Sequence, residues 1–440
     1  MGTWRGLRVA FVLGSLFMVL LIIAYWDDVG RPNLYPFQDP KHKSLPSGWR
    51  GPSTTVSPSS SSVVQVQTRA SVAGSSNAEI PPEETPEKPA GERQMRKEEG
   101  EGDEEREQEA RKQRIVDVCP VFFFFFFFFF FFFFFFFFFF VCSGKEALEF
   151  PGRTRAFEQI PFRELDHLIV DDTHQIIYCY VPKVSDLLPP LLSAQVACTN
   201  WKRIMVVLSQ SLISPSTGKP YTDPQSVPAD LVHNSSLHLT FAKFWRHYGS
   251  LSRHLMALKL QHYTKFLFVR DPFVRLISAF RNKLGRPNED FYRQFGSVML
   301  RRYGNASGSV AETAAEAFAA GIKPTFRQFV TYLLDPETER ESIFNEHWRQ
   351  VYRLCHPCQV KYDFIGRLET LETDSEQLLK LLKVDHLLQF PSGPRNRTAA
   401  SWETDWFAEI PITERRELYK LYKPDFELFG YATPDSVLHH

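Results

Sequence analysis

The stretch Tyr178–Leu208 reads YCYVPKVSDLLPPLLSAQVACTNWKRIMVVL, and the fold can be predicted from it. It opens as an apolar strand that ends in Pro182 and Lys183, and it closes as a helix pattern behind two good N-caps, Thr199 and Asn200. A lysine after a strand, followed by a helix N-terminus, suits a phosphate group, which a cation, exposed N–H groups and the helix dipole all attract. The GxxxxGK pattern of ordinary ATP or GTP loops is missing, which disfavours a nucleotide kinase.

A second candidate anion site lies in KFLFVRDPFVRLISAF, residues 265–280. Its strand ends at Arg270, Asp271 is a suitable helix cap, and the next residue is a proline that fits the first helical turn. Arg275 and Ser278 are three residues apart and therefore share one face of the predicted helix. We expect Arg270, Arg275 and Ser278 to converge on a second anionic group.

Strand patterns alternate with helix patterns through residues 145–434. Runs such as HLIV, IIYCYV and KFLFVR are typical of buried strands, and helical periodicity follows several of them. This alternation predicts an α/β domain with a mainly parallel sheet flanked by helices. Ligands of such sheets bind beyond the carboxyl ends of the strands, where both candidate anion sites lie.

The N-terminus carries a membrane-anchor pattern. Residues 1–8 contain two arginines, and residues 9–26 form an uncharged run of sufficient length to span a bilayer. The run is longer than the apolar part of a signal peptide and lacks a small-x-small exit, so we favour a single-pass signal anchor over a cleaved peptide. The positive charge before the run predicts a cytoplasmic tail and a lumenal remainder.

Other features agree with a lumenal location. Three Asn-x-Ser/Thr sequons predict glycosylation at Asn234, Asn305 and Asn396. The six cysteines suit an oxidising compartment, and Cys355 and Cys358 are close enough in sequence for a short-loop bridge, although pairing cannot be read from sequence. A zinc site is disfavoured because a second ligand pair is missing, and we expect no metal.

Residues 27–144 read as a disordered stem. Between residues 83 and 114, 20 of 32 residues are charged, which leaves little to bury. Nineteen consecutive phenylalanines, residues 122–140, follow. A second membrane span here would return the rest of the chain to the cytoplasm, and exposed Phe would aggregate. We interpret the tract as translated thymine-rich genomic sequence.

Both anion motifs together, behind a signal anchor, resemble the Golgi carbohydrate sulfotransferases of the HNK-1 sulfotransferase family. The resemblance covers residues 157–431 and rests on several stretches: HLIVDD, IYCYVPK with VACTNWKR, HLTFAKFWRHYG, LSRHLM, KFLFVRDPFVRLISAFR, FNEHWRQVYRLCHPCQ, YDFIGRLET and RNRTAASW. It implies a P-loop-like sulfotransferase fold and 3′-phosphoadenosine 5′-phosphosulfate as the sulfate donor. It also implies transfer to the 4-hydroxyl of N-acetylgalactosamine in chondroitin or dermatan, at the Golgi membrane.

The resemblance also assigns two donor-binding segments. The 5′-phosphosulfate loop falls on residues before and after an interruption: Pro182, Lys183, Val184, Ala197, Cys198, Thr199 and Asn200. The 3′-phosphate segment falls on Arg270, Asp271, Pro272, Phe273, Val274, Arg275, Leu276, Ile277 and Ser278. Within these segments we expect Lys183 to stabilise the bridging oxygen as the sulfuryl group leaves.

The chain departs from the family at residues 185–196, which separate Lys183 from the helix start. Positional errors of about 1 Å can cost about 100-fold in rate, so such a gap conflicts with a working loop. We interpret the segment as a retained piece of intron within a single loop. Two alternatives stay open, a genuine insertion that bulges outward and a protein that has lost activity.

Sulfate transfer also needs a base and a surface for the acceptor. His233 and His238 follow the loop helix and are our candidate bases, with His254 as a third. Residues 242–286 carry ten Lys and Arg against one acid, which indicates either a solvated face or a surface for polyanions such as nucleic acid or sulfated sugar. The resemblance implies that this basic stretch holds a uronate-bearing acceptor chain and that nucleic acid is not a partner. The alternative function is a non-catalytic Golgi glycan-binding protein whose donor loop is broken.

Overall fold

The computed structural model describes residues 90–119, 148–182, 197–304, 311–391 and 402–439. Side chains are described from residue 102 onwards, except those of residues 402–404. Several predictions lie outside these ranges: the signal anchor 9–26, the Phe tract 122–140, the segment 185–196, Lys183, Val184, Asn305 and Asn396. Within the ranges, no helix is both long and apolar enough to span a bilayer.

Five strands form one mixed sheet in the order β3-β1-β2-β4-β5. The strands are β1 (Leu168–Asp171), β2 (Ile176–Cys179), β3 (Leu239–Thr240), β4 (Thr264–Val269) and β5 (Phe364–Arg367). β2, β4 and β5 are mutually parallel neighbours, whereas β1 pairs antiparallel with both β2 and β3.

The prediction of a mainly parallel sheet is therefore wrong on the side formed by β3 and β1. Only residues 172–175 join β1 to β2, and such a short connection can form a hairpin but cannot make the crossover that parallel strands need. Asp171 closes the turn because its carboxylate accepts hydrogen bonds from the Thr173 N–H at 3.0 Å and the His174 ring at 2.7 Å.

Helices cover the sheet and build a second core beside it. They are α1 (Ala90–Val118), α2 (Ala197–Leu208), α3 (Phe244–Tyr248), α4 (Ser252–His262), α5 (Pro272–Lys283), α6 (Glu289–Phe291), α7 (Ser297–Tyr303), α8 (Ala314–Ala319), α9 (Phe326–Leu334), α10 (Pro336–Glu341), α11 (Val351–Cys355), α12 (Leu371–Leu381), α13 (Trp402–Phe407), α14 (Ile412–Phe429) and α15 (Asp435–Leu438).

An aromatic cluster fixes α2 on the sheet. Trp201 is fully buried and lies over Phe266 and Phe268 of β4, with ring centroids 4.8 and 5.5 Å away. Tyr178 of β2 stacks on Phe266 at 4.7 Å. Gly366 of β5 leaves room for Phe268, because a Cβ at this position would lie 2.2 Å from the ring. This packing holds the first turn of α2 near the carboxyl ends of β2 and β4.

Helix α1 lies against β5 and α14. The Gln108 side-chain amide donates to the Ile365 carbonyl at 3.3 Å and accepts from the Ile365 N–H at 3.2 Å. The Arg111 guanidinium donates to the Ile365 carbonyl at 2.7 Å and to the buried Asp374 carboxylate at 2.8 Å. Ile115 is buried in the main core. Polar side chains of α1 thus cover the open edge of the sheet, which would otherwise present unpaired backbone groups.

The prediction of disorder is consequently wrong for residues 102–119. Charge density alone suggested a solvated segment, yet residues 108, 111 and 115 recur at helical spacing and form one binding face. The remaining charges lie on the exposed side, where Arg106, for example, is 77% exposed.

Two disulfides connect these elements. Cys119, just after α1, pairs with Cys358, and Cys179 of β2 pairs with Cys355 of α11. The short bridge that the spacing of Cys355 and Cys358 would allow does not form, because each residue has a distant partner. Disulfides that close loops of 239 and 176 residues strongly restrict the unfolded chain. The remaining described cysteine, Cys198, is buried.

We expect Arg111→Ala to lower the free energy of unfolding by about 3 kcal/mol, because it leaves the buried Asp374 carboxylate without its cation. Arg106→Ala is the matched control, since it removes an exposed arginine from the same helix and should change stability by less than about 0.5 kcal/mol. Chemical denaturation of both variants measures the difference. Equal stability of the two would mean that α1 does not contribute to the folded domain.

Candidate functional site

The first predicted anion site lies where β2 ends and α2 begins. Pro182 follows the strand and Ala197 is the first residue of the helix, while Lys183 and Val184 fall between them, outside the described residues. Thr199 and Asn200 were predicted as caps, but they lie within the first turn because the helix starts earlier. The N–H groups of a first turn have no partner inside the helix, so this turn can still bind an anion.

A polar face continues from that turn. The Thr199 hydroxyl lies 3.3 Å from Nε2 of His233. Lys202, one turn later on the same face, places its ammonium 3.5 Å from the centre of the Tyr180 ring. Tyr180 directly follows β2. The Thr199 hydroxyl at the helix start therefore contacts the His233 imidazole, and the Lys202 ammonium contacts the end of the strand at Tyr180.

The two predicted histidine bases have different environments. His233 is exposed in a short turn, Leu231–His233. His238 is buried, and its Nε2 donates to the Val232 carbonyl at 2.8 Å. Burial lowers the pKa of His238 to about 4, so the ring is neutral at physiological pH. His238 therefore stabilises the loop that carries His233, and the third candidate, His254, lies exposed on α4.

A network of ionisable side chains lies beside Tyr180, and the sequence reasoning did not identify it. The buried His167 ring bridges two carboxylates, with Nδ1 2.6 Å from Asp166 and Nε2 3.0 Å from Glu346. The Tyr180 hydroxyl donates to the same Glu346 oxygen, Oε2, at 3.4 Å. His167 also stacks on Tyr180 with ring centroids 4.5 Å apart.

The charges in this network reinforce one another. Burial tends to raise the pKa of Glu346, but the His167 hydrogen bond and the positive charges of His167, His347 and Lys202 outweigh burial and lower it to about 2. Burial tends to lower the pKa of His167, but its two carboxylate partners outweigh burial and raise it. The Glu346 side chain is 35% exposed, and its Oε1 lies 3.9 Å from Nδ1 of His347. Glu346 is thus an ionised and partly exposed carboxylate beside Tyr180.

Local packing explains how Glu346 reaches this position. The Asn345 side chain accepts a hydrogen bond from the His347 N–H at 3.1 Å and shapes the turn. Trp348 is fully buried in the second core and anchors the turn. No strand-end rule marks this loop, because Glu346 follows neither a strand nor a phosphate-binding pattern. The only sequence signal was the position of NEHW within a stretch that carries the family resemblance.

The second predicted anion site starts as expected. The Asp271 carboxylate caps α5 by accepting from the N–H groups of Phe273 and Val274 at 2.8 and 3.0 Å, and Pro272 is the first helical residue. Burial raises the pKa of Asp271 to about 6, although both N–H bonds oppose that shift. Arg270 and Ser278 are buried at the ends of this segment.

Arg275 does not join them, which corrects the prediction of a three-residue cluster. Its buried guanidinium donates to the carbonyls of His347 and Arg349. Arg275 thus ties α5 to the loop that carries Glu346. The apolar residues of the predicted segment pack into the interior of the protein: Phe273, Val274, Leu276 and Ile277. Arg270 and Ser278 are the polar members that remain as candidates for a phosphate.

Two further observations concern chemistry around the site. Asn234 is the sequon asparagine that lies within the described residues. It is exposed, and its side-chain oxygen Oδ1 accepts a hydrogen bond from the Ser236 N–H at 2.9 Å. Within the described ranges, no group of three His, Cys, Asp or Glu side chains has the arrangement of a metal site.

Comparisons with known proteins place the fold and the site in context. The model of the Sulfotransferase family matches residues 166–432. The chain is 48% identical over 444 residues to carbohydrate sulfotransferase 12 of Xenopus laevis, covering 97% of each protein, and 46% identical over 457 residues to carbohydrate sulfotransferase 12 of Mus musculus, covering 99% of each. It is 41% identical over 276 residues to carbohydrate sulfotransferase 11 of Rattus norvegicus, covering 62% of this chain and 69% of the relative. No solved structure matches the chain.

Proposed function

We propose that this chain, which belongs to the sulfotransferase family and is a carbohydrate sulfotransferase, transfers sulfate from 3′-phosphoadenosine 5′-phosphosulfate to the 4-hydroxyl of N-acetylgalactosamine in chondroitin or dermatan. The observation that carries the proposal is the contact between Thr199 and His233 at the start of α2, next to the end of β2. This contact joins an anion-binding helix start to a group that can accept a proton.

The residues present fit the donor. The first turn of α2 and the Thr199 hydroxyl suit the sulfate-bearing phosphate, with Lys183 and Lys202 as cations. Arg270 and Ser278 suit the 3′-phosphate, because a guanidinium and a hydroxyl offer several donors to its oxygens. The two anion sites lie after β2 and β4, which are adjacent parallel strands, so one nucleotide can reach both.

The transfer step follows from this placement. The acceptor oxygen forms a bond to sulfur while the bond between sulfur and the 5′-phosphate oxygen breaks, and adenosine 3′,5′-bisphosphate leaves. His233 takes the hydroxyl proton. Lys183 stabilises the charge that develops on the leaving oxygen, and the partly exposed Glu346 carboxylate orients the acceptor hydroxyl. His167 and Tyr180 hold Glu346 in place and are positioning residues.

The cellular setting is part of the proposal. Disulfides persist in oxidising compartments, and the two disulfides join α1, β2 and α11 into one domain. Together with the exposed sequon at Asn234, they support a lumenal domain anchored to the Golgi membrane by residues 9–26. The glycan-binding alternative would retain an acceptor surface without the donor site.

Donor binding separates these two functions. We expect adenosine 3′,5′-bisphosphate to raise the melting temperature of the full chain, because a ligand that binds only the folded state stabilises it. Arg270→Ala should weaken this binding at least tenfold, because it removes a charge-assisted contact to the 3′-phosphate. Arg301→Ala, at an exposed position on α7, is the control. The absence of any shift in the unmodified chain would favour the glycan-binding alternative.

A further inference from the structure

A cavity of about 420 Å³ lies between the end of α5, the start of α9 and helix α13. Its described lining contains three cations and no acid: Phe280, Arg281, Asn282, Gly285, Arg286, Lys323, Pro324, Thr325, Phe326 and Trp406. The size lies within the range of pockets that hold small organic ligands. The exposed cations of this lining, Arg286 and Lys323, favour an anionic ligand.

One wall of the cavity is a fixed aromatic ring. Trp406 packs edge-to-face against Phe280 and Phe326, with ring centroids 5.9 and 5.3 Å apart. The Arg281 guanidinium lies 5.9 Å from the centre of the Trp406 ring. Arg286 and Lys323 line the same cavity and are exposed. An aromatic ring and cations in one cavity fit a sugar ring that bears a negative charge, because the sugar can contact the indole while its charge meets the cations.

The cavity also lies close to the candidate active site. The Asn282 amide donates to the Ser278 carbonyl at 3.0 Å, so the cavity begins one helical turn beyond the predicted 3′-phosphate contact. One turn of helix rises about 5.4 Å. A ligand in the cavity is therefore near enough to belong to the same sugar chain that meets the donor.

We propose that this cavity binds a uronate of the acceptor chain. The inference rests on the proposed function and deepens it, because it assigns acceptor recognition to Arg281, Arg286, Lys323 and Trp406. A sugar chain without carboxylates lacks the partner for these cations. The cavity thus selects acidic chains over neutral glycans that end in the same N-acetylgalactosamine.

The test measures binding of two ligands to the full chain by calorimetry, without donor: a chondroitin hexasaccharide, and the same hexasaccharide with its carboxylates reduced to alcohols. We expect the double variant Arg286→Ala, Lys323→Ala to weaken binding of the intact hexasaccharide about tenfold and to leave binding of the reduced one unchanged. Both residues are exposed, so the fold should tolerate their loss. Arg327→Ala, an exposed arginine outside the cavity, is the matched control and should behave like the unmodified chain.

Two results would overturn the inference. One is equal weakening of both ligands, which would show that the cations do not meet carboxylates. The other is a loss of adenosine 3′,5′-bisphosphate binding in the double variant, which would assign the cavity to the donor. Failure of the proposed function looks different, because the unmodified chain would then bind the intact hexasaccharide but transfer no sulfate to it.

Discussion

Deleting residues 185–196 is expected to raise the rate of sulfate transfer by the full chain about 100-fold. The deletion joins Lys183 and Val184 directly to Ala197, the first residue of α2. The lysine and the N–H groups of the first turn can then meet the same phosphosulfate within hydrogen-bond distance. Initial rates with labelled donor and chondroitin, with and without the segment, measure the effect.

Two further forms make this comparison decisive. Lys183→Ala in the shortened chain should remove the gained activity, because the gain depends on that cation. Deletion of twelve residues from the predicted stem, residues 53–64, controls for the length of the chain. Equal activity of the full-length and shortened chains, with Lys183→Ala harmful in both, would show that the loop accommodates a genuine insertion.

His233→Ala is expected to lower kcat about 100- to 1,000-fold, because it removes the proposed base. The residue is exposed, so its loss should leave the fold and the binding of adenosine 3′,5′-bisphosphate largely intact. The residual kcat should no longer decrease as the pH is lowered, because the variant lacks the imidazole whose protonation blocks the reaction. A pH profile of kcat between pH 5 and 8 measures both effects. His262→Ala, exposed at the end of α4, is the matched control.

Glu346→Gln distinguishes the base from the group that orients the acceptor. Its lowered pKa, about 2, keeps Glu346 ionised throughout that pH range, so its loss should lower kcat about tenfold and leave the acid limb in place. The stability that Glu346 contributes is present above the ordinary pKa of 4.5 and is lost as the pH falls towards 2. Glu339→Gln, with an equal exposure of 35%, is the control. If Glu346→Gln removed the acid limb and His233→Ala did not, the roles assigned here would be reversed.

Sequence patterns correctly predicted those structural elements that depend only on residues close together in the chain. The strand end at Arg270, the Asp271 cap and the following proline were all read correctly, because capping depends on residues within one turn. A cap at Thr199 or Asn200 would start α2 three or four residues after Ala197, and the start was misplaced because Ala197 and Cys198 carry no cap signal of their own. The parallel arrangement of β2, β4 and β5 followed from strands separated by helices, whereas the hairpin of β1 with β2 was missed.

Features that depend on distant contacts could not be read in this way. The partners of Cys355 and Cys358 lie 176 and 239 residues away. Arg111 is buried because it binds the Asp374 carboxylate and a carbonyl of β5. The sequence around Arg111 does not indicate these distant partners. Arg275 has the spacing of an anion ligand, but the carbonyls that it binds come from a loop 72 and 74 residues later. The same loop brings Glu346 to Tyr180.

The most direct test of the account is the position of the sulfate in the product. The full chain is incubated with labelled 3′-phosphoadenosine 5′-phosphosulfate and unsulfated chondroitin, and the product is digested to disaccharides and separated. The account predicts label on the 4-hydroxyl of N-acetylgalactosamine, for the full chain and, at the higher rate, for the chain without residues 185–196. Binding of chondroitin without any transfer by either form would contradict it and would establish the glycan-binding alternative.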